Sequence, residues 1–362
     1  MSTYGGRLKV LVVDDSALMR RMLRQILEAA GGIEVSVARS GLDALDLIRR
    51  EEPDVVTLDI NMPEMDGLSC LAEIMRTAPR PVVMVSSLTE QGALVTLEAL
   101  ELGAVDFVAK PGGTVSLNLD QVAEELVAKV RHAAQARVAT GRRRHAQPVP
   151  AGPVSGLSGG GWDLEHAVPD GGAADLVLVG SSTGGPALLG PLLSVLPAGF
   201  PAAVVVAQHL PASFTPALAR RLDELCAVHV VEVTIPTPVE PSTVYIGRGD
   251  ADVVIFSREG DVFVKTVPAS SAYRWHPSVD RLVATAQATL DPQRIIGVML
   301  TGMGDDGAEE MAKLHALGGR TVAESRDTAV VWGMPGELVR RGGASVTLPG
   351  DRIGPQILAW IQ

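Results

Sequence analysis

The sequence predicts an α/β protein of two parts. An N-terminal flavodoxin-like sheet of five parallel strands comes first, then a doubly wound, mostly parallel sheet with an antiparallel hairpin edge. Three observations predict this. Short runs of Val, Ile and Leu alternate with helix-period segments in both halves, the pattern of a parallel sheet covered on both faces. Between the halves, from about 132 to 174, that periodicity gives way to Gly, Pro, Ser, Ala and Arg, as in an interdomain linker. Finally, a chain of 362 residues is long for one core, and domain-size statistics favour two. The expected division is 1–131, a linker over 132–174, and 175–362.

In the first half the strand candidates are KVLVVDD from Lys9, IEVSVAR from Ile33, VVTLDI from Val55, VVMVSS from Val82 and VDFVAK from Val105. Helix signals separate them. Ser16 caps the first helix and Gly31 and Gly32 end it, while Thr89 caps the fourth and Gly103 ends it. Five such units suggest a flavodoxin-like strand order. The second half opens with LVLVG, followed by a helix over 184–195, AAVVVAQH, a helix over 214–226, HVVEV and VYIG. VVIFSREGDVFVKTV then reads as a hairpin whose alternating runs flank a Glu-Gly-Asp turn. A helix over 278–290, IIGVMLTG, a helix over 305–317 and TVAE follow, and RIGPQILAWIQ is an apolar helix expected to pack on the sheet.

Composition excludes several functions. The longest apolar runs are strand-length, short of the roughly 18 residues of a membrane span. A net charge of −11 argues against a dominant nucleic-acid surface, and neither a basic aromatic face nor a helix-turn-helix output is present. Cys70 and Cys226 sit in amphipathic helical patterns, and Met1 to Arg7 shows no charged-then-apolar leader, so a reducing cytoplasm is the expected location.

Asp14 and Asp15 follow the first strand and Asp59 ends the third, so three carboxylates converge on one crevice at the strand C-terminal ends. Such carboxylates repel unless a hard cation such as Mg²⁺ joins them. Ser86 and Lys110 end the fourth and fifth strands and add a hydroxyl and a cation to the same edge. Together these groups suit a phosphoryl group on Asp59. Through VVDDS, LDINMPEMDGL, MVSSLT and FVAKP, this half resembles the receiver domain of bacterial response regulators over its whole length. By that resemblance Asp59 is the phosphoacceptor, and Asp15, Asp59 and the Asn61 carbonyl hold Mg²⁺ with help from Asp14. Ser86 is then the switch hydroxyl and Lys110 the phosphoryl partner, with a cis peptide expected before Pro111.

In LVLVGSSTGGPA, Gly180, Ser182 and Gly184 satisfy G-x-S-x-G between a strand and a helix, the context that this nucleophile motif requires. A phosphate-binding loop needs G-x-G-x-x-G or a G-K-[ST] ending, and neither is present in this stretch. A serine needs a base and a carboxylate to orient that base. His209 ends the next strand at the same sheet edge, with His276 as a second candidate. TGMGDDGA supplies Asp305 and Asp306, either of which could cap the following helix, together with backbone N–H groups around Met303 and Gly304 suited to an oxyanion.

A receiver followed by VGSSTGG, AQHLP, VYIG, HPSVD, TGMGDDGA and VVWGMPGE resembles the chemotaxis protein-glutamate methylesterases, the CheB family, over the whole chain. By that resemblance Ser182 is the nucleophile, His209 the base, Asp306 its orienting partner, and Thr183 and Met303 site neighbours. The implied activity is hydrolysis of glutamate methyl esters on methylated chemoreceptors, with receptor glutamine deamidation as a second reaction. The implied phosphodonor is a histidine kinase of the CheA type, and the implied cofactor is Mg²⁺ in the receiver alone. Gly247 and Arg248 stand where the family commonly has Ala-Pro, and RWHPSVD where HRPSVD is usual. Alternative readings are the same esterase in a non-flagellar sensory system, and a receiver coupled to a non-catalytic binding module.

Overall fold

The computed structural model describes residues 7–87, 89–110, 119–136 and 176–361. The first half runs β1 (Leu8–Val13), α1 (Ala17–Ala29), β2 (Ile33–Ala38), α2 (Gly41–Glu51), β3 (Val55–Asp59), α3 (Gly67–Thr77), β4 (Val82–Ser86), α4 (Glu90–Leu102), β5 (Asp106–Ala109) and α5 (Leu119–Ala133). Its five strands pair in parallel in the order β2-β1-β3-β4-β5. Local chemistry sets the helix ends: Ser16 and Thr89 accept N–H bonds at their N-caps, and Gly103 closes α4 in the left-handed region. Strand order reverses between β1 and β3, which opens a crevice beside Asp14 and Asp59. Pro111 lies outside the described residues, as does most of the expected linker.

The second half continues with β6 (Leu176–Ser181), α6 (Gly185–Leu193), β7 (Ala203–Gln208), α7 (Thr215–Leu225), β8 (His229–Val233), β9 (Thr237–Pro238), β10 (Thr243–Gly247), β11 (Ala251–Arg258) and β12 (Asp261–Pro268). Then come α8 (Val279–Thr289), β13 (Ile295–Met299), α9 (Ala308–Ala316), β14 (Arg320–Glu324), α10 (Met334–Arg340), β15 (Val346–Leu348) and α11 (Gly350–Ile361). Seven of these strands form a parallel sheet in the order β15-β14-β13-β6-β7-β10-β8. The antiparallel hairpin β11–β12 is present, but it pairs with β9 in a three-stranded sheet of its own instead of extending the main edge. Packing explains this: Val253, Ile255 and Val264 are buried against α8 and the main sheet, so the hairpin stacks over the sheet.

The strands are apolar because both faces are covered. One cluster gathers Leu178, Val205 and Met299 under α8 and α9, and α11 buries Ile353, Ile357 and Trp360 in another. Along the main sheet, β6 lies between β13 and β7, with β10 and β8 beyond β7 and β14 and β15 beyond β13. The carboxyl ends of β6, β7 and β13 therefore meet at a switch point, the usual place for a site in such sheets. Among the described residues no helix is long and apolar enough to cross a membrane.

Candidate active site

Ser182 sits in the turn from β6 to α6. Its N–H donates to the Thr301 carbonyl at 3.0 Å, which ties the turn to the end of β13. The turn leaves through Gly184 at φ +80°, where a side chain would be strained and its Cβ would come within 2.7 Å of Val330. His209 follows β7. Since Ser181 pairs in register with Gln208, the next residues along the two strands, Ser182 and His209, emerge side by side.

Asp306 comes from the turn after β13 and is 3% exposed. Its Oδ2 meets His209 Nε2 at 2.8 Å. The same carboxylate accepts from Ser278 Oγ at 3.0 Å, Val279 N–H at 2.8 Å and Asp280 N–H at 3.1 Å. It is thus seated on the N-terminus of α8, where a negative charge is favoured. The expectation that Asp305 or Asp306 caps α9 is corrected: the N-cap there is Gly307, with no side-chain cap. Burial works against ionisation of Asp306, but the His209 bond and charge and the two α8 N–H bonds outweigh it, leaving its pKa below the ordinary value.

A carboxylate only accepts, so Nε2 carries the hydrogen and the imidazole lone pair lies on Nδ1. That nitrogen is buried and has no hydrogen-bond partner. His276, the second candidate base, is committed elsewhere, with Nδ1 2.8 Å from the buried Asp252. Met303 stands half-buried in a clamped turn, where Gly302 donates to Val331 and accepts from Gly333 and Met334. A Cβ added at Gly302 would fall 2.9 Å from Ser182 Cβ, so this turn closes on the serine.

Sequence reasoning missed several neighbours. The Trp275 indole lies nearly parallel to His209, 5° between planes with centroids 6.1 Å apart, and it also packs against Gly304. Gln208 is fully buried between the serine and histidine turns. Its signal was a lone carboxamide closing an apolar strand. Thr183 carries a contact from far away in sequence: its hydroxyl donates to Asp106 Oδ2 on β5 of the first half. Asp106 Oδ1 in turn takes Lys129 Nζ at 3.2 Å. Phe107 stacks on Phe214 at 4.4 Å between centroids, and Arg221 pairs with Glu101. The β5 edge of the first half thus lies against the serine turn.

In that first half, Asp14, Asp15 and Asp59 bring carboxylate oxygens within 4.8 Å of one another. Lys110 Nζ reaches Asp59 Oδ2 at 2.7 Å and Asp14 Oδ2 at 3.3 Å. Burial raises the pKa of Asp14, and the charge of Asp59 adds to it, against the Ser16 N–H and Lys110. One lysine therefore leaves the pocket with surplus negative charge, which fits an oxygen-ligated divalent cation such as Mg²⁺. Asn61 reaches this edge through its N–H, 3.2 Å from Asp59 Oδ1. Ser86 is buried with its hydroxyl 2.7 Å from Thr96 Oγ1, turned toward α4.

Comparison with known proteins agrees with this division of chemistry. Residues 177–357 match the CheB methylesterase family, and residues 10–119 match the response regulator receiver domain family. A Rhodospirillum rubrum protein named protein-glutamate methylesterase/protein-glutamine glutaminase 3 is 53% identical, over 98% of this chain and 96% of its own. A Rhodopseudomonas palustris protein named protein-glutamate methylesterase/protein-glutamine glutaminase 2 is 52% identical, over 98% of each. The crystal structure of the Thermotoga maritima CheB methylesterase catalytic domain is 36% identical with a TM-score of 0.50, covering 52% of this chain and 98% of that one.

Proposed function

The chain belongs to the CheB methylesterase family, and from that premise we propose that it is a phosphorylation-regulated hydrolase removing methyl groups from glutamate methyl esters of chemoreceptors. Its organisation is a receiver over 1–131, a linker over 132–174 and a catalytic domain over 175–362, working in the cytoplasm. One observation carries the reading: Ser182 and His209 leave adjacent strand ends while the buried Asp306 holds His209 Nε2.

In the reaction, Nδ1 of His209 takes the Ser182 proton as Oγ attacks the ester carbonyl. Backbone N–H groups around Met303 receive the developing oxyanion. Nδ1 then returns the proton to the departing methanol. Water, deprotonated at the same nitrogen, cleaves the acyl-enzyme and leaves a glutamate and the free serine. Asp306 stabilises the imidazolium in both halves. The glutaminase in the relatives' names extends to this chain as deamidation, in which the same serine attacks a primary amide and ammonia leaves instead of methanol.

Regulation follows from the contacts made by β5 and the end of α4. With Asp59 unmodified, Asp106 holds Thr183 beside the nucleophile, and the Phe107–Phe214 and Glu101–Arg221 contacts keep the receiver over the site. Asp59 accepts the phosphoryl group from a kinase of the CheA type. Asp14, Asp15, Asp59 and the Asn61 carbonyl would hold Mg²⁺, which would offset the charge that gathers there. Lys110 pairs with the phosphoryl oxygens, and Ser86 turns from Thr96 toward them. This biases the receiver away from the docked state. The reading is tested by methanol release from methylated receptors: Ser182→Ala is expected to abolish it without loss of fold, and near-normal release from the folded variant would overturn the assignment.

A further inference from the structure

Gln208 is the last residue of β7, and its side chain is inaccessible to solvent. Its Nε2 donates to two carbonyl oxygens, Ser182 O at 3.0 Å and His209 O at 3.2 Å. Its Oε1 accepts from Ser181 Oγ at 2.5 Å. The orientation is forced, because two carbonyls can only face the NH₂ group and a hydroxyl can supply the oxygen with its hydrogen. Both amide hydrogens are therefore used, one on each of the two residues assigned to nucleophile and base. A Cβ added at Gly185 would lie 2.2 Å from Gln208 Oε1 and 2.8 Å from Ser181 Oγ. The second glycine of STGG thus leaves room for a side chain on the neighbouring strand, which couples the serine turn to the AQH strand end.

We propose that Gln208 is a positioning residue that sets the spacing of Ser182 and His209 by binding the main-chain carbonyls of both. This rests on the Ser182–His209–Asp306 reading above. The carboxamide touches no reacting atom. Without it, the Ser182 carbonyl loses its bond across to the end of β7, and the two strand ends keep the strand ladder, including the bond from the His209 N–H to the Ser181 carbonyl at 3.0 Å. A displacement of the order of 1 Å between reacting groups lowers turnover about 100-fold.

The experiment compares the full chain, activated by a small phosphodonor and Mg²⁺, with Gln208→Met, Gly185→Ala and Ser182→Ala. Methanol release is read at saturating and limiting substrate, and competent sites are counted with a serine-reactive fluorophosphonate. Gln208→Met keeps the volume and removes both donors. Per titrated site its kcat is expected to fall about 10- to 100-fold with KM unchanged. Gly185→Ala reaches the same contact from the other strand and is expected to lower kcat in the same sense. Its effect should shrink in a Gln208→Ala background, where nothing remains to displace. Wild-type kcat per site in folded Gln208→Met, with Ser182→Ala inactive, overturns the positioning role and leaves the serine reading standing. Full activity of Ser182→Ala overturns that reading instead. If neither Gln208→Met nor Gly185→Ala folds, the carboxamide serves stability, and the proposal is wrong.

Discussion

Exchanging Asp306 for Asn separates the geometry of the triad from its charge. The carboxylate serves four donors with two oxygens: His209 Nε2 and Val279 N–H share Oδ2, while Ser278 Oγ and Asp280 N–H share Oδ1. An amide has one oxygen and one NH₂, so whichever way Asn turns, one N–H of α8 faces another donor. A buried donor without a partner costs about 1–3 kcal/mol. If the NH₂ group faces His209, Nε2 must accept, the hydrogen moves to Nδ1, and the base loses its lone pair toward the serine. If it faces Ser278, the tautomer survives but the imidazolium loses its counter-charge. In Ser-His-Asp hydrolases this exchange lowers kcat by about 10⁴-fold. The assay is methanol release by the activated full chain, with urea unfolding in parallel. A folded Asp306→Asn protein within about ten-fold of wild type would refute the assigned role of the carboxylate. The stability part has a definite sign in pH. Because the folded pKa of Asp306 is depressed, its contribution is present above the ordinary value of 3.8 and fades as pH falls through the folded value, so wild type and variant should converge in acid.

Three further outcomes follow from other contacts. Arg221→Glu sets like charges opposite Glu101 at the edge between the halves, and should raise the basal rate without phosphodonor; adding Glu101→Arg should restore the low rate, and an unchanged rate would count against receiver docking. Burial, with the charge of Asp306 beside it, raises the Asp280 pKa to about 6, so stability falls as pH rises from the ordinary value of 3.8, where the unfolded chain ionises, to about 6. Asp280→Asn should therefore gain urea resistance over wild type as pH rises from 3.8 to about 6 and keep that gain above it, and a pH-independent difference would contradict the burial argument. Gly184→Ala should lose about 1–3 kcal/mol in urea unfolding, because its φ of +80° disfavours a side chain; an unchanged midpoint would show that the turn relaxes at no cost.

Much of this molecule is legible in its sequence because its signals are local. G-x-S-x-G marks the Ser182 turn, β-branched runs mark strands, and Asp14, Asp15 and Asp59 fall at ends that a parallel sheet must bring together. What is not legible depends on distant partners. β9 and β15 are only two and three residues long and exist through pairing with β12 and β14. α10 starts Met-Pro-Gly, a poor helix sequence, and is held by buried Met334 and Leu338. The seat of Asp306 on α8 joins residues 27 apart, and Thr183–Asp106 joins residues 77 apart, with no motif to announce either. The hairpin's alternation showed two antiparallel strands, but which sheet they join is decided by the apolar face they bury.

The most direct test of the account is the initial rate of methanol release from methylated chemoreceptor membranes. It is measured for the full chain, Ser182→Ala and Asp59→Asn, each with and without a small phosphodonor and Mg²⁺. The account predicts a low rate that rises on phosphodonor addition in the wild type, stays low in Asp59→Asn, and is absent in Ser182→Ala. No release from folded, phosphorylated wild type would contradict the esterase, and a rate indifferent to phosphodonor would contradict control by the receiver.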